Sequence, residues 1–277
     1  MGIAARRLAR PSAEVAFADS GVGQPTVVLT HGAGVDHSMF DAQAASLAKQ
    51  GVRVIVWDLR GHGQSTLSAG ARFTAADALE DLGALLVECG AEVPVLVGHS
   101  LGGNLVQAFA RRYPERVGGV IILDSAWNAG PLSRLDRLAL RLAAPLLSLI
   151  PASVLPRLMA RASAESANAV SRTEAVFARM PKRRFLDVWA ATTSFVIPDP
   201  TYRSSVPIAL VRGQRDRTGN IATATTRWAA AEKVPEHVIP NAGHMVTWDA
   251  PEAVSSVILN ILEGWGLLSP LPEGTSL

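Results

Sequence analysis

Val93-Pro94-Val95-Leu96-Val97-Gly98-His99-Ser100-Leu101-Gly102-Gly103 decides how this chain is read. The apolar, β-branched run up to Val97 predicts a buried strand. Asn104 to Tyr113, stopped by Pro114, has the spacing of a helix. Between them stands Gly-x-Ser-x-Gly. A serine on so sharp a strand-to-helix turn is held in a strained backbone conformation, its hydroxyl thrust up from the sheet edge. Strand and helix then approach so closely that only small residues fit two positions to either side, here Gly98 and Gly102. The helix start also aims free N–H groups and partial positive charge at the reacting centre. Ser100 is the candidate nucleophile. The competing reading, a chance match in a flexible turn, does not explain the flanking strand and helix.

Working outward, strand and helix patterns alternate. Strands are expected at Ala13 to Ala18, Thr26 to Thr30, Val52 to Trp57, Val117 to Leu123, Pro207 to Arg212 and Glu236 to Ile239. Helices are expected at Asp41 to Gln50, Thr74 to Gly90, Ile221 to Ala231, and from an Asp249 N-cap to Glu263, stopped by Gly264. Such alternation implies βαβ units, a mostly parallel sheet and right-handed crossovers, with ligands at the carboxyl ends of strands. His31, Asp58, Ser100 and Asp124 all fall at such ends.

Trp127 to Ser205 departs from the pattern. It holds only helical stretches, at Leu132 to Leu149, Val154 to Arg161, Ala164 to Met180 and Arg183 to Phe195, with prolines between and within them. Residues 126–205 therefore read as a helical insertion over the sheet edge, flanked by a core of residues 13–125 and 206–264. A tail at 265–277 is expected to fray. The insertion holds eleven Lys/Arg and five Asp/Glu, a net charge of +6 in a chain whose total is +2. The plain account is the solvated outer faces of amphipathic helices; the sharper one is attraction of anionic or amphiphilic substrates.

Composition narrows the field. At 48% hydrophobic and 18% charged, the 277 residues can bury a sizeable core, and a net charge of +2 does not call for nucleic acid. One cysteine, Cys89, excludes an internal disulfide and a multi-cysteine metal site, fits the reducing cytoplasm, and reads as a small buried apolar residue. Met1 to Arg10 lacks the apolar core of a secretory signal and reads as a ragged start. The most apolar stretch, Leu142 to Pro156, is too short and too rich in proline to span a bilayer.

A serine hydroxyl needs a base in hydrogen-bond reach, and the base needs an orienting acid. Of six histidines, His244 alone follows a late strand through a flexible Asn-Ala-Gly turn. His31, His37, His62 and His237 lie in other loops or strands, and His99 points away from the Ser100 hydroxyl. Two acids fit. Asp216, after a strand and a glycine-containing loop, gives the chain order Ser…Asp…His; Asp124 ends the strand that follows the elbow helix. An oxyanion would meet the Leu101 N–H and one from His31-Gly32-Ala33-Gly34, with Ala33 the first choice and Gly34 the alternative. Neither Gly-Lys-Ser/Thr nor Gly-x-Gly-x-x-Gly after a strand is present to make that loop a phosphate cradle.

His31-Gly32, Asp58-x-Arg60-Gly61-x-Gly63-x-Ser65, Gly98 to Gly103, Gly213-x-x-Asp216 and Gly243-His244 together resemble the α/β-hydrolase family of esterases, lipases, epoxide hydrolases and haloperoxidase-like enzymes. The resemblance covers about Val15 to Gly264. It implies a mostly parallel, eight-stranded type of sheet flanked by helices, with the insertion as a lid or cap that shapes the pocket. A serine in place of aspartate sets epoxide hydrolases and dehalogenases aside. Trp248, four residues after His244, resembles carbon–carbon bond hydrolases, although many esterases also carry an aromatic there.

The expectation is a serine hydrolase of small apolar or amphiphilic carboxylic esters or lactones. Ser100, Asp216 and His244 are its catalytic residues, with Ala33 and Leu101 as oxyanion donors and no metal or organic cofactor. Phe40, Trp127, Trp189, Met245 and Trp248, with Met39, are candidate pocket residues against the plainer reading of core. The alternatives are a carbon–carbon bond hydrolase or cofactor-free haloperoxidase or perhydrolase on the same triad, and a ligand-binding receptor that keeps the fold. The oligomeric state is left open.

Overall fold

Period-2 burial on both faces explains the centre of the sheet. In the strand Val95–His99, Leu96 faces one core while Val95 and Val97 face the other. Thr26–Thr30 and Gly119–Leu123 divide their side chains in the same way. The structure is a computed structural model that describes residues 6–268. Its strands are β1 (Arg6–Arg10), β2 (Ala13–Asp19), β3 (Thr26–Thr30), β4 (Arg53–Trp57), β5 (Thr66–Leu67), β6 (Val95–His99), β7 (Gly119–Leu123), β8 (Ile208–Gly213) and β9 (Glu236–Ile239). They form one nine-stranded sheet in the order β1-β2-β4-β3-β6-β7-β8-β9, with β5 paired to β2. From β4 to β9 every pairing is parallel; β1, β2 and β5 make the antiparallel end.

Helices cover both faces. α1 (Asp41–Lys49) and α10 (Pro251–Gly264) supply Leu47, Val254, Ile258 and Leu262 to one core. α2 (Ala75–Glu88) and α3 (Leu101–Arg112) supply Leu82, Leu85, Leu105 and Phe109 to the other, beside α8 (Ile221–Glu232) with Trp228. Each such side chain, taken fully out of water, contributes roughly 1.5–3 kcal/mol before entropy is counted. Between β7 and β8 the chain forms α4 (Arg134–Leu149), α5 (Leu155–Ser163), α6 (Ala167–Phe177) and α7 (Lys182–Thr193). The short α9 (Val246–Asp249) precedes α10.

Several expectations are corrected. Arg6–Arg10 is not ragged: it pairs with β2 from Arg6↔Phe17 to Arg10↔Ala13 across a tight turn at Ser12, φ +58°. Its half-exposed edge position hides the apolar alternation that identifies an interior strand. The sheet accordingly has nine strands, not eight. Residues 265–268 do not fray: Trp265 lies so close to Gly119 that a side-chain carbon there would run into the indole. The rest of the expected tail, 269–277, lies outside the described residues. Asp249 does not cap the last helix, whose N-cap is Ala250, because its carboxylate is taken by Gly243, Glu165 and Ser166 N–H groups. Cys89 is buried and free, and burial pushes its thiol up to about 11.

Candidate active site

Ser100 stands at the carboxyl end of β6 as the N-cap of α3, with φ +51° and ψ −117°. That conformation is sparsely populated for any residue with a side chain, so surrounding structure must impose it. Ser100 N donates to Leu123 O at 3.0 Å, and the Ser125 hydroxyl donates to Ser100 O at 2.7 Å. The glycines make the turn possible. A side-chain carbon on Gly98 would strike the backbone of Gly102 and Gly103, and one on Gly102 would strike Thr30 O and His31 O. Backbone cannot swing aside, so Gly98→Ala is expected to cost about 3 kcal/mol or more in urea unfolding. Gly264→Ala, which meets nothing within 4 Å, should be neutral or slightly stabilising.

The late loops bring His244 and Asp216 to the same point as Ser100. β8 leads through Gly213 to Asp216, and β9 leads through Asn241, φ +60°, to His244. The two loops are fastened together by Gln214 N to Ile239 O at 2.9 Å and Arg215 N to Ala242 O at 2.8 Å. His244 Nε2 lies 3.1 Å from Ser100 Oγ, and His244 Nδ1 lies 3.0 Å from Asp216 Oδ2. The second Asp216 oxygen accepts from Thr218 N at 2.8 Å. Burial opposes ionisation of Asp216, but the charge of His244, its hydrogen bond and the Thr218 N–H outweigh it and hold the carboxyl at about 2.

Asp124, the alternative acid, also reaches this place but does a different job. It is fully buried at φ +42°, and one oxygen accepts from Gly213 N at 2.8 Å. It brings an oxygen within 4.8 Å of ligand atoms of both Asp216 and His244, without bonding the imidazole. Burial first, and the neighbouring Asp216 charge second, push its carboxyl well above the usual range, the opposite direction to Asp216.

Five residues hold the site's loops in place, and for two of them, His99 and Asp249, the sequence reading had no such role. His99 is buried, and its Nε2–H donates to His244 O at 2.7 Å; burial and the nearby His244 lower it to about 3, so it is neutral. Strand alternation at the elbow, which turns His99 away from Ser100, was the available signal. Asp249 holds the His244 loop through Gly243 N at 2.9 Å while accepting from Glu165 and Ser166 on the inserted segment. Met245 N donates to Ser163 O at 2.8 Å and adds a second tie. His31 supports the facing loop, its Nε2 accepting from Leu59 N at 2.9 Å and its Nδ1–H donating to Gly32 O at 2.8 Å. Asp58 closes the Asp58–Ser65 loop by accepting from His37 N and Gln64 N, each at 2.8 Å. Arg60 pairs with Asp81 through two 2.7 Å bonds, both side chains buried.

Above Ser100 lies a cavity of about 530 Å³. Ala33 and Asn104 line it from the sheet side, Trp189 and Val196 from the inserted segment, and Leu135, Leu140 and Ala143 from α4. Among the described residues Asp136 is the one ionisable side chain in the lining, and it is engaged with Ser133. Ala33 borders the cavity and Leu101 opens α3, where an amide has no intrahelical acceptor. Gly34 is turned against Phe177, at φ +77°.

Of the aromatic and methionine candidates, Trp189 alone lines this cavity. Phe40, Met39, Met245 and Trp248 are buried in the core beneath β3 and α10, and Trp127 stacks on Trp228 with ring centroids 5.8 Å apart. Large apolar side chains meet an equal demand in a core and in a pocket, and these five are used in the core.

Comparison with known proteins agrees with this architecture. A profile of the alpha/beta hydrolase family matches residues 27–257. The chain belongs to that family. Among curated relatives of this hydrolase, a 2-hydroxy-6-oxononadienedioate/2-hydroxy-6-oxononatrienedioate hydrolase of Paraburkholderia phymatum is 34% identical over 125 residues, covering 42% of this chain and 41% of the relative. The mouse sn-1-specific diacylglycerol lipase ABHD11 is 34% identical over 101 residues, covering 36% of this chain and 32% of the relative. The chain thus spans well under half the length of these relatives. Among solved structures, a thermophilic esterase from Thermogutta terrifontis superposes with a TM-score of 0.77 at 28% identity, covering 94% of this chain and 99% of that one.

Proposed function

We propose that this hydrolase cleaves carboxylic esters of neutral, apolar acyl groups through an acyl-enzyme on Ser100. The observation that carries the reading is a hydrogen-bonded Ser100–His244–Asp216 relay at the floor of an apolar cavity. His244 Nε2 takes the hydroxyl proton as Oγ attacks the ester carbonyl. The developing oxyanion sits against the Leu101 and Ala33 N–H groups. The tetrahedral intermediate collapses, the C–O bond breaks, and His244 returns the proton to the departing alkoxide. Water, deprotonated by the same imidazole, then releases the acid and restores Ser100. Every proton and electron pair is supplied by Ser100, His244, substrate and water.

In this reading residues 13–125 and 206–264 form the catalytic core and 126–205 a cap over it. Similarity to the Thermogutta terrifontis esterase supports ester cleavage. The Paraburkholderia phymatum relative favours a second reading, carbon–carbon bond hydrolysis, but its named substrate is a dicarboxylate. Among the described residues no arginine, lysine or histidine lines the cavity to receive one, and Asp136 would repel it. The arginines of the inserted segment lie elsewhere, several of them on its outer surface.

The test is a series of p-nitrophenyl esters. Each methylene buried against Leu140, Ala143 and Trp189 is worth about 0.8 kcal/mol, so kcat/KM should rise at least about tenfold from acetate to hexanoate. A flat or falling series, or faster turnover of a vinylogous diketone dicarboxylate than of any ester, would remove the ester reading.

A further inference from the structure

α4 is apolar on a side where it has no partner. None of its 16 residues is buried. Its cavity-facing side carries Asp136, Leu140 and Ala143. A second stripe, Leu138, Leu142, Leu146 and Leu149, is between 44 and 78% exposed, and Leu135, at the edge of the cavity, extends it. At 3.6 residues per turn these five fall within an arc of about 80°. Isolated exposed leucines are ordinary; an aligned row running the length of a helix is not. Beside the row, Arg134, Arg137 and Arg141 form an exposed ridge at i, i+3 and i+7. None of the three pairs with a carboxylate among the described residues. α5 and its N-cap add exposed Val154, Arg157, Leu158 and Arg161.

We propose that this face of α4 binds the surface of an anionic phospholipid bilayer. The occupant must accept an apolar row and, immediately beside it, cations with no acid of their own. A membrane with anionic headgroups offers both, acyl chains for the leucines and phosphates for the guanidinium groups. A second copy of the chain does not: pairing two such faces would bring arginine ridges together with no carboxylate between them. Four of the five acids of the segment are engaged elsewhere, Asp136 with Ser133, Glu165 with Arg215, Asp187 with Arg72 and Asp199 with Arg111, and the fifth, Glu174, lies on α6. Since α4 also lines the Ser100 cavity, attachment would set the cavity against the lipid surface. The attachment does not depend on which bond Ser100 cleaves.

The experiment is co-sedimentation of the full chain with vesicles of equal parts phosphatidylglycerol and phosphatidylcholine, or of phosphatidylcholine alone. The wild type and Ser100→Ala should both sediment with the anionic vesicles, and at least about tenfold more weakly with neutral ones. The triple variant Arg134→Gln/Arg137→Gln/Arg141→Gln should bind about a hundredfold more weakly. Leu138→Glu/Leu142→Glu/Leu146→Glu should lose roughly as much, because it removes the inserted surface. None of these six side chains lines the cavity, so both triple variants should keep wild-type circular dichroism and wild-type turnover of a water-soluble ester. Wild type that stays in solution with anionic vesicles overturns the proposal. So does a folded triple variant that binds as well as wild type, and so does a dimer that the leucine variant disperses while no vesicle binding is seen.

Discussion

Ser100→Ala is expected to lower kcat for ester hydrolysis by about a million-fold, the scale on which loss of the nucleophile disables a serine relay. The fold should not notice. Alanine keeps the side-chain carbon and therefore the strained φ +51°, while the hydroxyl it removes has His244 Nε2 as its one side-chain partner. Ser100→Gly separates chemistry from strain. It should be as inactive as the alanine variant yet more stable by about 1 kcal/mol, since a 1–3 kcal/mol backbone cost is relieved against the extra chain entropy of glycine. Paired kinetics and urea melts check both halves. Substantial turnover by Ser100→Ala, or a loss of stability in both variants, would mean that the turn serves structure rather than catalysis.

The second large effect distinguishes the two aspartates beside His244. Asp216→Asn should lower kcat by about ten-thousand-fold, because an amide cannot stabilise the imidazolium and favours the wrong tautomer. It should also cost stability. Asp216 sits near 2 when folded against an ordinary 3.8, so its ionised form contributes roughly 2 kcal/mol above about pH 4, lost as pH falls through 2. Asp124→Asn should do neither. An amide oxygen can accept from Gly213 N as the Asp124 carboxyl does, and Asp124 does not bond the imidazole, so kcat should stay within about tenfold of wild type. The sign of its linkage is opposite. Its raised folded value means that unfolding releases a proton between pH 3.8 and that value, so wild-type stability falls as pH rises above 3.8 toward it. The variant, free of this cost, should be at least as stable at pH 7 to 8. If Asp124→Asn is the inactive variant and Asp216→Asn the active one, the acid has been misassigned.

Elements whose local chemistry has one solution were legible in the sequence. Gly98 and Gly102 can stand at an elbow because backbone occupies the space a side chain would need, and the order of Ser100, Asp216 and His244 follows from which strand ends precede them. What local pattern left open was decided by partners far away in the chain. Asp249-Ala250-Pro251-Glu252 has the form of a helix N-cap, yet Glu165 and Ser166 N–H groups, more than eighty positions earlier, took the carboxylate. Arg6–Arg10 lacked strand alternation because it needs only one neighbour, β2. Phe40 and Trp248 went to the core while Ala139, Ala143 and Thr192 line the cavity, a distribution that composition cannot assign. Leu132 to Leu149 was readable as a helix, but not which of its leucines would remain uncovered.

Covalent capture tests the account most directly. After reaction with a fluorophosphonate probe, intact-mass and peptide mass spectrometry should find one adduct per chain, on the peptide that bears Ser100. The adduct should be absent from folded Ser100→Ala and should form far more slowly in Asp216→Asn. A folded wild-type protein that stays unlabelled, or that carries the adduct at any other residue, would contradict Ser100 as the nucleophile.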